Sequence, residues 1–115
     1  MMLRTVAFVQ GLASRLAGDR LSLRVTPADV ARHFGADVSF LRVRMALENL
    51  LRRPMPFYSG ERCTYCTLIV YLREIKNGPD IQVFFSEKSR DLLQDQDDHW
   101  RLDQTLIDIQ DTPLA

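Results

Sequence analysis

The sequence predicts an α+β fold, and three observations predict it. Residues 26–53 carry two amphipathic helices in tandem around a glycine. A β-branched and aromatic run from Cys63 to Leu72 leads into Asn77-Gly78, a strong hairpin turn signal, and Ile81, Val83 and Phe85 form the return strand. A helical pattern and a short alternating segment come before both.

Over residues 3–17, Val6, Val9, Leu12, Ala13 and Leu16 cover one helical face, and Arg4, Gly11, Ser14 and Arg15 lie on the other. Gly18-Asp19 is a turn. Leu21, Leu23 and Val25 alternate with Ser22 and Arg24, the period of a half-buried strand. Thr26 suits a helix cap, Pro27 the first helical position, and Asp29 stands three residues after the cap. Val30, Ala31 and Phe34 make the apolar face of this helix, and Gly35 ends it. Asp37 or Ser39 caps the next.

The second helix of the pair spans residues 39–53. Phe40, Val43, Leu47, Leu50 and Leu51 share one face, with Arg42, Asn49 and Arg53 nearly opposite and Met45 and Arg52 beside them. Pro54 stops it. Residues 54–62 read as a loop with two prolines and a glycine. A two-residue turn at Asn77-Gly78 sets Leu72 opposite Val83 and Val70 opposite Phe85 on one face. Pro79 lacks an N–H, so the hairpin tip is expected to be looser than an ideal turn. Ser86 caps a final helical segment, SEKSRDLLQ. Beyond it, Leu102, Leu106 and Ile109 have helical spacing while Ile107 and Ile109 alternate, so a docked helix, an added strand and a flexible acidic tail all stay open.

The order helix, strand, helix, helix, strand, strand, helical tail is that of a winged helix-turn-helix with the hairpin as wing. Residues 1–94 form the expected domain and residues 95–115 an acidic C-terminal segment. In such a domain the helix over 39–53 reads a DNA major groove. Arg73, Lys76 and Asn77, near the hairpin tip, suit phosphate contact. Two amphipathic helices around a Gly turn also occur in many α proteins, where Arg only decorates a solvated face.

The chain has 115 residues and a formal net charge of zero, which hides an asymmetry. Residues 1–53 hold nine Arg against Asp19, Asp29, Asp37 and Glu48. Residues 91–115 hold Arg101 against seven Asp. Nearly all positive charge is Arg, which favours bidentate contact to phosphate or guanine, although a GC-rich genome accounts for most of that bias. The acidic segment is expected to dock on the protein or shield its basic half. The apolar start is interrupted by Gln10, Ser14 and Arg15 at helical spacing, so it reads as a helix and not a signal peptide, and the expected location is cytoplasmic.

Three stretches, TPADVARHFG, FLRVRMALENLL and LIVYLREIKNGPDIQVFFSEKSRDLL, carry a resemblance over residues 20–94. The chain resembles one winged-helix domain of the iteron-binding plasmid replication initiators. The resemblance implies double-stranded DNA binding or homodimerisation by an initiator module acting in plasmid replication initiation. It implies that Arg42, Met45, Asn49, Arg52 and Arg53 face DNA. That family carries two such domains and this chain has room for one, which fits a fragment, the dimerisation half or a small stand-alone relative. The Asp-rich segment departs from the family pattern and would repel phosphate unless it points away.

No catalytic chemistry is expected. Cys63 and Cys66 form a CxxC, half of a zinc site, but inside a β-rich run the two thiols point to opposite faces, so they read as free structural cysteines. His33 reads as a surface or helix-end histidine. No nucleophile–base pair or Gly-rich phosphate loop is visible, and Asp95, Asp97 and Asp98 lack the glycine and terminal Glu of a calcium loop. No enzyme, metal or cofactor is expected. The competing reading is a winged helix used for protein–protein contact, as in a small plasmid or phage accessory protein, without sequence-specific DNA binding.

Overall fold

The computed structural model of the chain describes residues 2–94 and 100–102. They form a small α+β fold: α1 (Met2–Ser14), β1 (Ser22–Val25), α2 (Pro27–Phe34), α3 (Phe40–Leu50), β2 (Pro54–Ser59), β3 (Arg62–Thr67), β4 (Tyr71–Glu74), β5 (Ile81–Phe84), α4 (Glu87–Gln94) and β6 (Arg101–Leu102). The strands make two antiparallel three-stranded sheets, ordered β1-β5-β4 and β3-β2-β6.

The helices follow their local chemistry. Val6, Val9, Leu12 and Ala13 of α1 are buried as their spacing requires, and Phe8 is buried with them. The helix ends at Ser14, three residues before the expected end, because its last turn tightens: Arg15 and Leu16 donate backbone bonds to Leu12 and Ala13. Its orphan carbonyls find a partner on α4, where Gln94 Nε2 donates to Ala13 O at 2.7 Å and to Leu16 O at 3.1 Å.

A reciprocal capping box starts α2. Asp29 N–H donates to Thr26 Oγ1 at 3.2 Å, and Thr26 N–H donates to the Asp29 carboxylate at 2.9 Å. Gly35 ends the helix at φ 85°, a conformation that favours glycine. Ala31, expected on the buried face, is exposed. Burial by itself would raise the Asp29 carboxyl, but the Thr26 hydrogen bonds and the charges of Arg15 and Arg32 hold it below the usual carboxylate range. The sign follows. A carboxyl depressed in the folded state adds stability that is present above its unfolded pKa, near 4, and lost as pH falls through the folded value. Asp29→Asn should therefore cost about 1 kcal/mol at pH 7. It should cost much less at pH 3, read as the change in urea midpoint at the two pH values.

Ser39, of the two candidates, caps α3, its hydroxyl accepting from Arg42 N–H at 3.2 Å. The helix stops at Leu50 and not at residue 53. Leu51 and Arg53 make i→i−3 bonds to Glu48 and Leu50, closing the helix before Pro54 disfavours helical backbone at the residue ahead of it.

Three expectations about strands are corrected. Residues 54–62 are not a loop but β2, a turn at Gly60-Glu61 and the start of β3. With Ser59 opposite Arg62, the parity of the ladder puts Pro54 and Pro56 at positions whose missing N–H would point away from β3. On that side β6 reaches only Phe57 and Tyr58. The run from Cys63 to Leu72 is not one strand. It breaks at Leu68 and Ile69, two consecutive residues that are both fully buried. The chain crosses from one sheet to the other there. The β4–β5 hairpin has the expected register, Leu72 opposite Val83, and a loose tip with Asn77 at φ 69°. Val70, expected on the buried face, is exposed.

At the C-terminal end, Ser86 caps α4 by accepting from Ser89 N–H at 3.0 Å. Of the acidic segment, Trp100–Leu102 is described and adds a strand, β6, to β2, with Leu102 buried and Arg62 5.1 Å from the centroid of the Trp100 ring. Asp95, Asp97, Asp98 and residues 103–115 lie outside the described residues. One core joins the parts: α1, α3, the inner face of β1-β5-β4, and Met55, Phe57 and Cys66 of the second sheet belong to one buried cluster. No helix among the described residues is long and apolar enough to cross a membrane.

Candidate nucleic-acid interface

Helix α3 is held from below. Val43, Ala46, Leu47 and Leu50 are buried, which fixes its opposite face toward solvent. That face carries Leu41, Arg42, Met45, Glu48 and Asn49, all exposed. Arg52 is exposed just past the helix, whereas Arg53 is half-buried in the following turn and is not part of the helical face.

The hairpin lies alongside. Its backbone alternates, so Leu72 and Glu74 face α3 while Tyr71 and Arg73 face the other way. Leu72 lines a groove with Asn49, Leu51 and Arg52. Glu74 forms an ion pair with Arg44, which also lies 3.7 Å from Glu48. Arg44 thus ties helix to hairpin. A second groove at the tip is lined by Arg44, Glu74, Lys76, Asn77 and Asp80.

The electrostatics of this side follow from which charges are paired. Arg44 is neutralised by Glu74 and Glu48, and Asp80 by Arg24 at 2.6 Å. Arg42, Arg52, Arg53 and Lys76 form no ion pair among the described residues. Among the described residues, Arg42 and Arg52 beside α3 and Lys76 at the hairpin tip are therefore exposed cations without a paired carboxylate. Of the residues expected to face DNA, Arg42, Met45 and Asn49 are exposed on α3, Arg52 is exposed just past it, and Lys76 is exposed at the hairpin tip, where it lines a groove with Arg44. Arg73 lies on the far face of the sheet, its guanidinium 5.6 Å from the Phe84 ring centroid.

Sequence reasoning did not single out Arg44 or Leu41. The Arg44–Glu48 spacing of four residues was a signal for the first, since such pairs meet on a helix. For Leu41, 63 % exposed, no local pattern says that an apolar residue in the first turn faces water.

Other clusters are accounted for by the fold. His33 is exposed at the end of α2, packed edge-on against Phe34 and 5.2 Å from the Phe8 ring, with Nε2 3.2 Å from Arg4 O. The recess between α1 and α2 holds Arg15 and Arg32, but both are paired with the buried Asp29. Cys63 is exposed and Cys66 buried, as three residues along one strand require, and burial pushes the Cys66 thiol up. No group of His, Cys, Asp and Glu among the described residues is arranged to hold a metal ion.

Comparison with protein-family models, curated proteins and solved structures finds no match to this chain.

Proposed function

We propose that the chain is a winged-helix DNA-binding module of the plasmid-initiator kind. Helix α3 enters the major groove, and the β4–β5 hairpin is the wing that rests on the backbone. The β2–β3 hairpin is then an insertion between the recognition helix and the wing. One observation supports this reading: Arg42, Arg52 and Lys76 are exposed cations with no ion pair among the described residues, on α3, just past it and at the hairpin tip, and the Arg44–Glu74 pair fastens helix to hairpin. Arg42 and Asn49 have the chemistry to read guanine and adenine edges, and Met45 to meet a thymine methyl.

A second reading has its own support. Leu41 and Met45 are 63 % and 56 % exposed on that same face, an apolar pair suited to a protein partner or to a second copy of the chain. Fluorescence anisotropy with a mixed-sequence duplex at low salt, beside sedimentation of the free protein, separates the readings. Duplex binding that weakens with salt supports the first. No binding together with a stable dimer would sink it.

The acidic segment gives a further expected result. Ending the chain after Leu102 removes Asp103, Asp108 and Asp111 but keeps β6 on β2. If the segment shields the basic side, non-specific duplex affinity at low salt should rise several-fold, and the gain should fade near 0.5 M salt. Unchanged affinity at low salt would count against shielding.

A further inference from the structure

We propose that the outer face of the β1-β5-β4 sheet binds single-stranded DNA, with Tyr71, backed by Phe84, as the stacking platform and Arg73 as the phosphate partner. The choice of DNA over RNA rests on the duplex reading of α3; the platform itself does not.

The register defines the two faces of this sheet. Val25, Ile81, Leu23 and Val83 point inward with Leu72, toward the helices. Facing out are two cross-strand rows, Ser22–Phe84–Tyr71 and Arg24–Gln82–Arg73. An antiparallel sheet with one solvated face ordinarily shows polar side chains there. Here the solvated face carries a tyrosine that is 55 % exposed beside a half-buried phenylalanine, with ring centroids 5.5 Å apart. No described element is layered over them.

A cross-strand aromatic pair stabilises a sheet by itself, so the pair alone does not point to a ligand. The cation beside it does. Arg24, in the same lateral row as Arg73, is neutralised by Asp80, whereas Arg73 forms no ion pair among the described residues. It lies against the Phe84 ring. An exposed tyrosine ring beside a guanidinium that lies over the neighbouring Phe84 ring and has no ion pair among the described residues matches unstacked bases joined by phosphates, because every base has a π-face and every linkage a negative charge. A duplex lacks this match, since its bases are already stacked on one another. The two sites would lie on opposite faces of the hairpin.

The test is binding of a fluorescent twelve-nucleotide oligo-dT to the full chain at low salt. Wild type should bind. Tyr71→Ala should weaken binding about ten-fold or more, Tyr71→Phe should bind as wild type, and Arg73→Ala should weaken binding and flatten its salt dependence. Thermal melts establish that each variant is folded. Duplex affinity should be unmoved by Tyr71→Ala. No oligo-dT binding by wild type, equal affinity in Tyr71→Ala, or tighter binding of oligo-U than of oligo-dT would overturn the proposal. If the duplex fails to bind while oligo-dT binding still depends on Tyr71, the α3 reading falls and the platform stands.

Discussion

Replacing Phe57 with alanine should cost about 3–5 kcal/mol of stability. Phe57 is 1 % exposed and is the largest of the fully buried side chains. It sits on β2, opposite Thr64 of β3 and Leu102 of β6, and belongs to the same buried cluster as α1 and α3. The size of the effect decides what the β2–β3 hairpin is. As an appendage on a self-sufficient domain, it would shed a phenyl ring at small cost to the rest. As part of a shared core, it loses both the transfer free energy of the ring and the contacts around the cavity left behind. A domain of this size has roughly 5–15 kcal/mol in total, so the variant should be near its unfolding threshold at 37 °C. Urea unfolding measures it: the midpoint should fall with the slope unchanged. Tyr65→Ala, on exposed surface of the neighbouring strand, should shift stability by no more than about 0.5 kcal/mol. A Phe57→Ala loss below about 1 kcal/mol would show that the hairpin is peripheral.

The second large effect concerns binding. Under the duplex reading, Arg42→Ala should cost about 1–3 kcal/mol in specific affinity, since a guanidinium on a base edge supplies two hydrogen bonds at once. It should leave the melting temperature nearly unchanged, because Arg42 is exposed and forms no ion pair among the described residues. Arg44→Ala is the instructive contrast. Arg44 need not touch DNA, yet its loss releases Glu74 and Glu48 and unfastens hairpin from helix. Affinity should then fall for all sequences alike. If α3 instead serves a protein interface, Arg42→Ala leaves duplex binding where it was and shifts self-association in sedimentation.

The helices were legible in the sequence because each is specified locally. Thr26 and Asp29 cap one helix within four residues, Ser39 another, Ser86 a third, and the apolar spacing of α1 and α3 states which face is buried. The hairpin register was legible for the same reason, since Asn77-Gly78 fixes it from within. The β2 strand was not. Two prolines argue against a strand, and they are tolerated only because β6, more than forty residues later in the chain, pairs with β2 at Phe57 and Tyr58 alone. The break at Leu68-Ile69 was hidden because a buried crossing and a buried strand share one composition. On the candidate interface, helical spacing located Arg42, Met45 and Asn49. Arg73 was read as a tip residue because proximity in sequence to the turn says nothing of which sheet face a side chain takes; that depends on strand parity.

The place of β5 in its sheet has a consequence for how the chain is made. β5 is the middle strand, and it joins β1 through pairs such as Ser22 with Phe84. On a ribosome, β1 and β4 emerge with nothing between them, and neither can pair until residues 81–84 have been synthesised. Helix α3 is complete before then, and of the elements that share its core α1 and α2 are already made while the sheet is not. Closure over so long a loop is slow relative to helix formation. The first three helices are therefore made before the sheet that shares their core, and that sheet closes only once β5 is available.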